Sequence, residues 1–322
     1  MPDDEIPPEL QPNPHDVAFD LARALRAVVG VRSHVPADAF TAPILGTERT
    51  GNGVLIRENG LILTIGYLIT EAETVWLTTA DGRAVRGDAF AYDQETGFGL
   101  IQALERLDLP ALELGQSSDL GIGDSVILAA AGGTAEAVKT QVVGRETFAG
   151  SWEYLLDDAL FTAPAHPSWG GAGLIDRDGK LVGIGSLILQ QQLAESRIAN
   201  LNMVVPIDCL KPILDDLSSY GRVRRPARPW LGLYAAELDD SVHIRGFADG
   251  GPAELAGLRA DDRILAVQGE PVEDLAELWQ GIWNVGTAGA VVKLRIARGR
   301  EVLEVPVRST DRNTLLKAPR LQ

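Results

Sequence analysis

The chain offers few places where side-chain chemistry could be done. Its four histidines, His15, His34, His166 and His243, are scattered, without the helical two-histidine spacing or acidic partner motif of a metal site. Neither a metal nor a cofactor is expected. Cys209, the single cysteine, excludes an intramolecular disulfide and sits in an apolar run from Val205 to Leu210, where a thiol packs as a small hydrophobe. One base and one hydroxyl do lie close together, in His166-Pro167-Ser168. Serine hydrolysis needs a hydroxyl, a base to take its proton and a carboxylate to orient the base. Here the proline stiffens the loop, so the imidazole would have to fold back on the hydroxyl, and no orienting carboxylate is identified. Ser168 is a nucleophile only in a rearranged site; the plainer reading is a loop serine beside a solvent-facing histidine.

The elements that must position these residues follow from periodicity. Of 322 residues, 45% are hydrophobic and 23% charged, enough for two or three domains with real cores. No apolar run approaches the roughly 20 residues of a membrane-spanning helix. The start, Met-Pro-Asp-Asp-Glu-Ile-Pro-Pro-Glu, is acidic and proline-rich rather than basic and then apolar, so the expectation is a cytoplasmic protein. Residues 1–15 are expected to be a disordered tail. Val17, Leu21, Leu25 and Val28 lie at helical spacing, with Arg23 and Arg26 near the C-terminal end, and predict an amphipathic helix over Asp16–Val28. From Gly53 the pattern changes to short apolar runs separated by Asn59-Gly60, Asp81-Gly82 and Asp178-Gly179, the signature of antiparallel hairpins. A second helix is expected from Ile207 to Tyr220. Arg222, Arg224, Arg225 and Arg228 with Pro226 and Pro229 then read as a linker, and a smaller domain of strands with helical pieces at Ala253–Ala256 and Asp274–Trp283 follows.

Within this β-rich region, Gly51-Asn-Gly-Val-Leu-Ile-Arg-Glu-Asn-Gly-Leu-Ile-Leu-Thr64 is similar to the opening of HtrA/DegP-type serine proteases, which continues Thr-x-x-His-Val-Val; here it reads Thr64-Ile65-Gly66-Tyr67-Leu68-Ile69. Asp93-Gln94-Glu95-Thr96-Gly97-Phe98-Gly99-Leu100-Ile101 resembles the family's Asp-x-x-Thr-Asp-Leu-Ala-Leu-Leu. Counting back without a gap from Asp178-Gly179-Lys-Leu-Val-Gly-Ile-Gly185 sets Gly170 in the nucleophile frame, with Trp169 before it and Ser168 where an oxyanion-hole glycine stands. The resemblance, from about Val28 to Leu217, implies a chymotrypsin-like double β-barrel. Its three catalytic frames hold Tyr67, Gly97 and Gly170. A phenol of ordinary pKa ~10 is no ready base, and glycine has no side chain, so the expectation is that the chain is not an enzyme. Tyr67 and Trp169 would fill the former cleft as core or as a contact surface.

The second domain carries its own resemblance. Arg228-Pro-Trp-Leu-Gly-Leu233 is similar to the PDZ carboxylate loop of the same family. Gly250-Gly-Pro-Ala-Glu-Leu-Ala-Gly-Leu-Arg-Ala-Asp-Asp-Arg-Ile-Leu-Ala-Val-Gln-Gly269 is close to its Gly-Ser-Pro-Ala-x-x-Ala-Gly-Leu-x-x-Gly-Asp-x-Ile-Leu-x-Val-x-Gly. This implies a groove for an extended peptide, with Trp230, Leu231, Gly232 and Leu233 at the carboxylate and Leu278 and Ile282 on the helical wall. The alternative is a domain that packs with its groove closed.

The resulting expectation is a mainly β protein: a double barrel over 16–217 with an N-terminal helix, a linker over 218–229, an α+β PDZ domain over 230–312 and a tail over 313–322. Its expected function is that of an inactive protease acting as a scaffold or accessory subunit, recognising a partner peptide or C-terminus. The alternatives are a holdase for unfolded chains and a hydrolase using Ser168. The resemblance also implies a homo-oligomer, with a trimer favoured. With 45 acidic against 29 basic residues the net charge is −16, which argues against nucleic acid, and no membrane partner is expected.

Overall fold

Short, buried, β-branched runs become strands, and twelve of them close into two barrels. The computed structural model describes residues 5–192 and 198–317. The first barrel comprises β1 (Val28–His34), β2 (Glu48–Arg57), β3 (Leu61–Ile65), β4 (Thr74–Thr78), β5 (Ala84–Tyr92) and β6 (Phe98–Ala103), closed in the order β1-β2-β3-β6-β5-β4. The second comprises β7 (Ser125–Ala129), β8 (Ala137–Gly150), β9 (Tyr154–Ala163), β10 (Gly173–Ile175), β11 (Leu181–Gln192) and β12 (Ile198–Pro206), in the order β10-β11-β12-β9-β8-β7. All five residues of β3 are buried. Val126, Leu128, Leu160, Leu174 and Val204 fill the second barrel, while Asn59-Gly60 joins β2 to β3 as the turn pattern requires. Gly60, with φ +88°, supplies the left-handed step of that turn.

A further sheet runs β13 (Leu233–Leu238), β14 (Ser241–Phe247), β15 (Arg263–Val267), β17 (Val291–Arg298) and β18 (Glu301–Arg308), with β16 (Glu270–Pro271) paired to β15. The helix over Leu275–Trp283 buries Leu278, Trp279 and Ile282 in the core of this sheet, at i, i+1 and i+4, beside Leu231, Leu233 and Ile244. Burial of each such side chain contributes about 1.5–3 kcal/mol. Asp274 caps the helix, its carboxylate accepting from the Glu277 N–H at 2.8 Å.

The chain forms two compact units. The barrels make one, with Lys317; the other holds Arg224–Leu316 together with Thr147–Asp157, the tip of the β8–β9 hairpin. The mainly β architecture of double barrel plus α+β domain is the one expected from the sequence.

Three local expectations differ from the structure. The helix over Asp16–Val28 is confined to Leu21–Leu25, because the Asp20 side chain caps it by accepting from the Arg23 N–H and because Val28 already pairs with Val54 in the first barrel. The helix over Ile207–Tyr220 is divided into a 3-10 turn at Ile207–Cys209 and a helix at Leu214–Tyr220. Pro212 between them has no N–H to give. Within the tail over 1–15, residues 1–4 lie outside the described residues, but the rest is ordered. Pro8–Leu10 and Pro14–Asp16 form 3-10 turns, Ile6 is buried, and the Gln11 side chain donates to the Ile6 carbonyl at 2.9 Å. Of the tail over 313–322, residues 318–322 lie outside the described residues.

Candidate functional site

The three frames singled out in the first domain converge at the meeting of the barrels. Tyr67 sits on a 3-10 turn, Gly66–Leu68, that follows β3. Its carbonyl and that of Thr70 accept from the buried Arg49 guanidinium at 2.8 and 3.0 Å. Its phenol crosses to the second barrel and donates to the Ser186 carbonyl on β11 at 2.9 Å. Burial pushes that phenol well above its ordinary pKa. Gly97, with φ +83°, closes a turn in which Asp93 accepts from the Thr96 N–H and hydroxyl, and its carbonyl accepts from the Gly66 N–H at 2.7 Å. A Cβ placed on Gly170 would lie 2.8 Å from the Tyr67 Oη, so the first and third frames face one another directly.

The loop carrying Ser168 and Gly170 is clamped by Asn52. Its side-chain amide donates to the Ser168 carbonyl at 2.9 Å and the Gly170 carbonyl at 3.2 Å, and its Oδ1 accepts from the Ala131 N–H at 2.9 Å. His166 is fully buried rather than solvent-facing. Its Nδ1 accepts from the Ser168 backbone N–H at 2.9 Å, leaving Nε2 to donate to the Glu136 carbonyl at 3.1 Å. Burial holds the ring below its ordinary pKa. The imidazole thus secures the backbone of Ser168, and both ring nitrogens are engaged with main chain. Trp169 is half-buried, and its carbonyl accepts from the Ala172 N–H. Together these positions offer a phenol with raised pKa, two glycines and a loop held by main-chain bonds.

The second unit builds a carboxylate seat. Gly232 takes φ +75°, turning successive N–H groups to one side. Those of Leu231, Gly232 and Leu233 converge on the carboxylate of Glu153, at the hairpin tip within the same unit. Gly232 and Leu233 donate to Oε1 at 2.7 and 3.0 Å, and Leu231 reaches both oxygens at 3.1 Å. Glu153 is only 4% exposed. Burial pushes its carboxyl up to about 7, against the pull of the three N–H donors and Arg312. Two residues along β13, the Ala235 N–H donates to the Ser151 carbonyl at 2.9 Å, and from the helix Trp279 Nε1 donates to the Gly150 carbonyl at 2.9 Å. Leu278 and Ile282 are fully buried, and Trp230 lies beneath Gly232, whose added Cβ would meet its ring at 3.0 Å.

The sequence motifs bring together Leu231–Leu233 and the helix, but not Glu153, Ser151 or Trp279. Glu153 carries no motif, because its partners lie 78–80 residues away. Asn52 stands between Gly51 and Gly53, and these flanking glycines are the sequence signal of a close backbone approach there. An added Cβ on Gly51 would fall 2.6 Å from the Gly170 carbonyl.

Comparison with known proteins agrees with both halves. Residues 51–184 match the trypsin-like peptidase domain and residues 229–308 the PDZ domain. The Serine protease Do-like HtrA of Bacillus subtilis (strain 168) is 26% identical, over 89% of this chain and 70% of its own length. A probable periplasmic serine endoprotease, DegP-like, of Chlamydia muridarum is also 26% identical, over 81% of this chain and 54% of its own. The chain thus spans only about half of the second relative. The solved HtrA-type protease AlgW with decapeptide shares the fold at a TM-score of 0.54 and 19% identity, covering 94% of this chain and 100% of its own. One expectation is corrected by these relatives: the chain was expected not to be an enzyme, whereas its relatives are named serine proteases and endoproteases, which points to protease activity.

Proposed function

We propose that this chain, an HtrA/DegP-like trypsin-like peptidase domain followed by one PDZ domain, recognises extended peptides by their C-terminal carboxylate in the groove between β13 and the Leu275–Trp283 helix. The carrying observation is the seat itself: three convergent backbone N–H groups at Leu231, Gly232 and Leu233 that hold a carboxylate. A carboxylate that accepts several N–H bonds away from bulk water is bound strongly and with defined geometry. Beside it, β13 is the edge strand of its sheet, and Leu231, Leu233, Leu278 and Ile282, buried behind it, are the apolar side chains that an opened groove would offer a terminal side chain. The solved AlgW relative carries a decapeptide, which supports the same use here. A partner protein would dock through its C-terminus. A short peptide ending in leucine is expected to bind with a free carboxylate and to lose most of its affinity as the C-terminal amide. Equal affinity of the two forms would sink this reading.

The relatives' names favour a second activity, cleavage of the captured chain by the peptidase domain. On the frame alignment, Tyr67, Gly97 and Gly170 occupy the positions of base, orienting acid and nucleophile. A cutting site would therefore draw on other groups of the chain. Incubation with an unstructured protein followed by mass spectrometry of the products tests this directly, and fragments that persist in Ser168→Ala would exclude the Ser168 hydroxyl.

A further inference from the structure

We propose that the tip of the β8–β9 hairpin, residues 150–153, is a ligand in cis that keeps the carboxylate groove shut until a partner's C-terminal peptide displaces it. This rests on the peptide-capture reading above and concerns its regulation. The seat is full: Oε1 of Glu153 takes N–H groups from Leu231, Gly232 and Leu233, and Oε2 takes a second contact from Leu231. All three backbone N–H groups of the seat are thereby engaged.

The rest of the tip makes one bond of the kind an added strand would make, from the Ala235 N–H to the Ser151 carbonyl. The N–H groups of Leu233 and Ala235, two apart on β13, meet acceptors on Glu153 and Ser151, two apart in the opposite direction. That is the spacing of an added antiparallel strand. On the helical side, Trp279 Nε1 fixes Gly150, and Ala149 packs against the domain core. Glu153 thus presents a side-chain carboxylate where a chain terminus would present its own.

The imitation is incomplete, which is what makes it displaceable. Residues 151–153 form a turn, and Glu153 lies at φ +51°, a left-handed conformation that non-glycine residues rarely take. The tip therefore leaves the path of β13 after one ladder bond, at Ala235. A true terminus in extended conformation would continue the ladder toward Glu237 and bring an apolar side chain to Leu278 and Ile282. The displacing ligand is accordingly an extended peptide ending in an apolar residue with a free carboxylate.

The experiment uses the full chain and a fluorescent peptide ending in leucine, as carboxylate and as amide, with affinity read by anisotropy. If closure limits access, apparent affinity is reduced by the open fraction, and Glu153→Ala should bind the carboxylate peptide about tenfold or more tighter than the unmodified chain. Hydrogen exchange on the unmodified chain at saturating peptide should show faster exchange across 148–154. Equal, carboxylate-dependent affinities of the two chains, or a tip that stays protected at saturation, would overturn displacement and leave capture standing. Absence of binding to a folded Glu153→Ala chain would overturn capture itself. Should that variant not fold, Trp279→Phe, which removes the bond to Gly150 along with part of a buried ring, must show the gain in affinity in its folded form, and its failure to do so overturns the proposal.

Discussion

Glu153 sets burial, which disfavours its charge, against three N–H donors and Arg312, which favour it, and burial prevails: the carboxyl is pushed up to about 7. Tyr234 is raised chiefly by burial, with a smaller contribution from the Glu153 charge, against the pull of Arg312. A carboxyl with a raised folded-state pKa binds more protons folded than unfolded. Its stabilisation is complete below the unfolded value of ~4.3 and is lost as pH rises through about 7. The stability of the unmodified chain relative to Glu153→Gln, measured by urea unfolding, should therefore fall from pH 5 to pH 8. A relative stability that rises over this range would show that the N–H donors prevail over burial. At Asn52 the outcome is simpler, since Asn52→Ala takes the side-chain donor from the Ser168 carbonyl and the acceptor from the Ala131 N–H, while the Gly170 carbonyl keeps the Asn52 backbone N–H at 2.8 Å. It should cost about 1–3 kcal/mol, read as a lowered thermal midpoint. Residues such as Leu231 and Gly232 were legible from their motif. Glu153 and Trp279 were not, because their roles depend on contacts spanning 78–129 residues of chain.

Among the elements, the Leu275–Trp283 helix was legible nearly to its ends, since an Asp cap and an apolar face at helical spacing agree with its tertiary setting. Asp274→Ala removes the bond to the Glu277 N–H and should cost about 1 kcal/mol, checked by denaturant midpoint. Because that helix walls the groove, peptide affinity should fall with it. The helices expected over Asp16–Val28 and Ile207–Tyr220 shortened for two different reasons. Strand pairing claimed Val28 in one, and Pro212 interrupted the other. The loop at His166 is a third case. Spacing suggested a base beside a hydroxyl, while the fold uses the imidazole to bind main chain at both nitrogens.

At the scale of the molecule, the order of a β-rich peptidase domain and a PDZ domain was legible because both rest on long local motifs. The assignment of Thr147–Asp157 to the second unit was not, because a hairpin reads the same from sequence whichever core its tip joins. The net charge of −16 bears on partner choice. Basic residues upstream of the terminal carboxylate should raise the association rate at low salt, an effect that declines as ionic strength rises, and stopped-flow binding of lysine-bearing and glutamate-bearing peptides would show it. Equal rates at low salt would remove charge steering from the account.

The most direct test is the amide proton resonances of Leu231, Gly232 and Leu233 in the full chain, followed across Glu153→Ala and then a titration with carboxylate-terminated peptide. Strongly downfield protons are expected in the unmodified chain, with loss of that shift in the variant and its return as peptide fills the vacated seat. Resonances indifferent to Glu153→Ala, or to the peptide once Glu153 is gone, would contradict it.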